Sequence, residues 1–109
     1  MATEAIKRQY TSGVTNAESV VLTGVSGHAY AVLSVLICET AGAAETFDMY
    51  ADLAAGGTDY YIYKTQALGA NATFEHTSKF VLEGTDRLCI ALASAGNVDV
   101  VVSFLDQTL

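Results

Sequence analysis

The stretch Ala29 to Glu39, AYAVLSVLICE, is apolar on both sides of an extended chain. Successive side chains of a strand point to opposite faces, so Tyr30, Val32, Ser34 and Leu36 fall on one face and Ala31, Leu33, Val35 and Ile37 on the other. A strand with one wet face alternates apolar with polar residues. This one does not, which predicts a central strand covered twice. One cover is the protein's own second sheet; the other is a folded-over segment of the same chain or a neighbouring subunit.

Working outward, Ser19 to Val25 (SVVLTGV) is a β-branched strand joined to the central one by the turn Ser26-Gly27-His28. Before it, Ile6 to Val14 is a thinly patterned edge strand, and residues 1–5 are expected to form a flexible arm ahead of a single domain at 6–109. After the AGAA turn at Ala41 to Ala44, Glu45 to Leu53 (ETFDMYADL) alternates: Phe47, Met49, Ala51 and Leu53 point inward, Thr46, Asp48, Tyr50 and Asp52 outward. Gly56 and Gly57 sit in the next turn, which leads to a tyrosine-rich strand at Asp59 to Thr65. Asn71 to Leu82 is extended with a break near Thr77 and Ser78. Arg87 to Ala93 and Val98 to Leu105 complete the chain, the last with Val98, Val100, Val102 and Phe104 inward. Strands separated by Gly, Ser and Asn turns, with no helical period, predict an all-β fold: an antiparallel β-sandwich of seven to eight strands, jelly-roll-like.

Hydrophobic residues make up 51% of the 109 residues and charged ones 16%, against about 25% charged in ordinary soluble domains. A partner surface accounts for such an excess. No apolar run reaches the roughly 18 to 20 residues of a membrane helix. The N-terminus, MATEAIKRQY, lacks the apolar stretch of a signal peptide, so the mature protein is expected to begin here and to be made in a cytoplasm. Five basic residues against 12 acidic ones give a net charge of -7, which repels phosphate backbones and argues against nucleic acid as a partner. Proline is absent, so edge strands need another form of protection, and self-association is one.

No catalytic motif is legible. GVSGH at Gly24 to His28 is not a nucleophile elbow, and Gly56-Gly57 lacks the lysine and helix of a phosphate loop. Cys38 and Cys89 have no CxxC spacing and are read as free thiols rather than a disulfide. His28 and His76 lie too far apart in sequence to suggest a metal site, and no cofactor is expected. Asp48 and Asp52 share an outer face and could hold calcium, although an acidic face more often serves solubility. Tyr60 is expected on one face, with Tyr61 and Tyr63 on the other, offering a protein contact or a stacking platform for a sugar. Lys7, Arg8 and Tyr10 form a candidate basic grip for an acidic partner.

Three segments together resemble small β-sandwich virion proteins of tailed bacteriophages, of the capsid decoration or cement type. They are VLSVLICET (Val32 to Thr40), TFDMYADL (Thr46 to Leu53) and VLEGTDRLCIALAS (Val81 to Ser94). The last is similar to an L-x-x-G-D-x-L turn before the penultimate strand, with Thr85 here standing between Gly84 and Asp86. The resemblance implies a homotrimer without enzymatic activity, seated on the major capsid protein at the capsid exterior of a virion. The alternative is a tail, neck or fibre-tip module that recognises a host-surface glycan through Tyr60, Tyr61 and Tyr63.

Overall fold

The computed structural model describes residues 3–109. Nine strands follow in order: β1 (Thr3–Val14), β2 (Ser19–Thr23), β3 (His28–Glu39), β4 (Glu45–Asp52), β5 (Asp59–Leu68), β6 (Thr73–His76), β7 (Phe80–Glu83), β8 (Arg87–Leu92) and β9 (Val98–Thr108). They form two antiparallel sheets. One runs β1, β9, β3, β6, with β7 also paired to β3; the other runs β2, β8, β4, β5. The fold is thus an all-β sandwich, as the strand and turn pattern predicts. The Asn71 to Leu82 segment does break, because β6 pairs with the second half of β3 and β7 with its first half.

The pairing is that of one long ribbon rolled on itself. Its closed end is the β4–β5 hairpin; from there β3 pairs with β6 and β7, β2 with β8, and β1 with β9. Rolling then brings β9 against β3 and β8 against β4. Gly24 marks one tight crossing of this roll. A Cβ there would lie 2.2 Å from the Gly84 carbonyl oxygen and 2.6 Å from that of Asp86, so only glycine fits.

The core lies between the sheets. Val32, Val35, Ile37, Val100, Val102 and Phe104 face it from one side, and Phe47, Met49, Leu88 and Ile90 from the other. Fully burying a side chain of this size is worth about 1.5–3 kcal/mol. The strict alternation expected for the central strand does not hold. Val32 pairs with Phe104 and Ser34 with Ser103, leaving Leu33 as an extra residue in a β-bulge. Tyr30 and Val32 therefore face the core before the bulge, Val35, Ile37 and Glu39 after it, while Leu36 and Cys38 turn outward.

Two further expectations are corrected. Thr3, Glu4 and Ala5, expected in a flexible arm, are strand residues paired to Thr108, Gln107 and Asp106; residues 1–2 lie outside the described residues. The thin pattern of this segment reflects an edge strand exposed on both faces. The tyrosines are also redistributed. Met49 pairs with Tyr63 and Tyr50 with Tyr61, so Ile62 is bulged and Tyr61 and Tyr63 fall on opposite faces.

Candidate interaction surface

Side chains directly opposite in an antiparallel pair share a face. On the outside of the β1-containing sheet, one row therefore runs Ile6, Leu105, Ala31, Val81 across four strands. A second runs Tyr10, Val101, Leu36 and ends on Glu75. Between them stand Arg8, Ser103 and Ser34. Ile6 is 78% exposed, Tyr10 62% and Val81 61%, and no element of the described chain lies over these rows. The second cover predicted for the central strand is thus not supplied by the described residues of this subunit.

Among the described residues, the carboxylates Asp106 and Glu39, which have a core-facing parity, are engaged. Asp106 follows Phe104 at the next inward position of β9 and is 4% exposed. Lys7 donates to its Oδ2 at 2.7 Å, and His28 Nδ1 lies 2.7 Å from its Oδ1. These hydrogen bonds, with the charges of His28 and Lys7, hold its carboxyl below the ordinary range, and Asp106 in turn raises Lys7. The cluster ties β1, β3 and β9 together at one end of the sheet. Glu39, the inward residue at the end of β3, accepts N–H groups of Asn71, Ala41, Gly42 and Ala43 at 2.8 to 3.1 Å. Those bonds, that from Asn71 foremost, lower its pKa and fasten the β3–β4 turn to the β5–β6 turn. An acid on a core-facing parity demands such partners, and that signal was present in the sequence at both positions.

The outer face of the second sheet is polar and self-satisfied. Arg87 pairs with Asp52, which also accepts the Gly56 N–H at 3.1 Å; Arg87 holds the Asp52 carboxyl low. Asp59, opposite Asp52, is raised by burial and by that neighbouring charge. Tyr50 donates its hydroxyl to Glu18, and burial raises it. Beside it, burial pushes the Cys89 thiol up to about 12. Asp48 accepts the Thr65 N–H at 2.7 Å, holding that residue at φ 53°, and meets Lys64 at 3.4 Å. Asp48 and Asp52 are therefore committed to separate partners rather than to a shared ion. Among the described residues no three His, Cys, Asp or Glu side chains are placed to hold a metal.

The predicted contact residues separate. Arg8 lies over the Tyr10 ring at 5.2 Å on the outer face, whereas Lys7 turns inward to Asp106. Tyr60 and Tyr61 are exposed, with Lys64 over the Tyr61 ring at 4.3 Å. Tyr63 packs edge-on to Phe47 and Phe74 and its hydroxyl meets His76 Nδ1 at 2.7 Å. Cys38 and Cys89 are free, in different sheets. Open hollows on the surface include one of about 450 Å3 beside Glu45, Leu68 and Ser94 and one of about 370 Å3 between Tyr10 and Asp99.

No protein-family profile and no curated sequence matches this chain. Solved structures similar in fold include the following three. A chain of the Bacillus endospore appendages, described as a novel family of disulfide-linked pili, aligns at TM-score 0.56 and 11% identity over 98% of this chain and 87% of that one. A chain of the acidic stable capsid of Helicobacter pylori bacteriophage KHP30 aligns at 0.56 and 13%, over 100% and 94%. Infectious bursal disease virus, Gx strain, supplies a match at 0.50 and 9% that spans all of this chain and 33% of the viral one. At these identities the likeness is one of fold: a whole-chain β-sandwich similar to subunits of pili and of viral particles.

Proposed function

We propose that this chain is a non-enzymatic virion structural protein, a capsid decoration or cement protein that self-associates and reinforces the outer surface of the shell by docking on the major capsid protein. The observation that carries the proposal is the uncovered apolar outer face of the β1, β9, β3 sheet, with Ile6, Tyr10, Val81, Leu105, Val101 and Leu36 across it. Apolar patches of several hundred Å2 on small soluble domains mark protein contacts, and burying one contributes several kcal/mol before the cost of association. The rolled-ribbon pairing supports reading the sandwich as a jelly roll, an architecture of viral capsid domains. The likeness to a chain of nearly the same length in a phage capsid supports placing it on a particle. A glycan platform of Tyr60, Tyr61 and Tyr63 lacks comparable support, since the three rings do not share a face.

Co-sedimentation with empty shells of the virus that encodes the chain tests the proposal. The wild type is expected to pellet with shells and Leu36→Asp to stay in the supernatant with an unchanged far-UV spectrum. A chain that ignores shells and binds glycans would overturn it.

A further inference from the structure

Strand β1 is a long open edge. β9 occupies one side of it, residues Thr3 to Tyr10 are all exposed, and no proline blunts the other side; the one inward charge of residues 3–10, Lys7, is already paired with Asp106. Such an edge presents unpaired backbone donors and acceptors to any strand that fits. We infer that its occupant is the β1 strand of a second copy of this chain, paired antiparallel about a two-fold axis that passes through Ile6. The inference deepens the self-association named above and is independent of docking on a shell.

Register selects this pairing. Opposite residues must share a face, so the two residue numbers of each pair add to an even constant. A constant of 12 sets Ile6 against Ile6, Glu4 against Arg8 twice over, and Lys7 against Ala5. A constant of 14 sets Lys7 against Lys7, and 16 sets Arg8 against Arg8; 10 pairs Glu4 with Ile6 and matches no charges. Only the Ile6-centred register joins opposite charges without opposing like ones. Each subunit carries a net charge of -7, so copies repel at long range, and a stable contact needs local compensation of this kind.

The same geometry explains the outer apolar rows. A two-fold axis normal to the sheet keeps both outer faces on one side. The row Ile6, Leu105, Ala31, Val81 then continues through the partner's Ile6 into its copy of the row, doubling a stripe that one subunit leaves unfinished. The arrangement is a two-fold pair, in place of the trimer that the resemblance implied.

Sedimentation equilibrium of the full chain over a wide concentration range, with charge reversals on β1, tests the inference. Glu4 and Arg8 are exposed, and among the described residues their side chains make no hydrogen bond or ion pair, Arg8 only stacking on Tyr10, so the fold is expected to survive their exchange. The wild type should be dimeric. Arg8→Glu and Glu4→Arg should each weaken the dimer by about tenfold, and the double exchange should restore it to within about threefold. A monomer at every concentration, a trimer, a dimer indifferent to the single reversals, or a double exchange that fails to restore pairing would overturn it. So would a monomer whose shell binding is lost with Arg8→Glu, because a shell strand would then own the edge. Shell binding lost with the dimer intact would count against the decoration role alone.

Discussion

On the outside of the β2, β8, β4, β5 sheet, polar groups answer one another: Arg87 with Asp52, Tyr50 with Glu18, Asp48 with Lys64 and the Thr65 amide. On the outside of the β1, β9, β3 sheet, the apolar rows that start at Ile6 and Tyr10 are covered by no element of the described residues. Both faces come from strands with inward apolar residues, so the difference is not required by the core. One face is finished by the chain itself, and the other is left for a partner. Surface polar pairs are individually weak, but they occupy the one outer face, whereas the other carries the apolar rows.

The largest expected contrast in stability lies within β3, where Ile37 faces the core and Leu36 faces outward. Ile37→Ala should cost about 2–5 kcal/mol of subunit stability. Leu36→Ala should cost well under half of that, and denaturant melts of the two variants under monomeric conditions check it. Equal losses would mean that the outer face is covered after all.

A smaller effect distinguishes the polar clusters by pH. Glu39, Asp52 and Asp106 have folded-state pKa values below their ordinary 4.5, 3.8 and 3.8. Groups with depressed values stabilise the fold fully above the unfolded-state pKa, and that contribution is lost as pH falls through the folded one. Asp59, raised, works in the opposite sense and is outnumbered. Melting temperature should therefore hold near neutrality and fall below about pH 4. Asp106→Asn should flatten part of that fall while lowering the melting temperature at pH 7. A profile unchanged by that substitution would remove Asp106 from the account.

The smallest expected effect is none. Reductant should leave the melting temperature unchanged, because Cys38 and Cys89 sit in separate sheets as free thiols. A large drop would require a bond between subunits.

Much of this was legible from the residues. Turn chemistry and period-2 patterning located the strands, and the inward parity of Val98, Val100, Val102 and Phe104 on β9 is as read. The bulges at Leu33 and Ile62 were not, because an extra residue is defined by the strand across from it rather than by its own sequence. They explain why two tyrosines expected together lie apart, and why the central strand changes its inward parity. The candidate surface was half legible. A doubly apolar central strand signalled an outer partner, but Lys7 was grouped with Arg8 and Tyr10 because its inward companion Asp106 lies 99 residues away.

Thr3 and Thr108 stand opposite each other, their hydroxyls 3.1 Å apart, while the exposed Ala54 to Gly57 hairpin closes the far end of the ribbon. A short bridge between those two threonines, with the chain reopened at the hairpin, would yield a circular permutant with every strand pairing preserved.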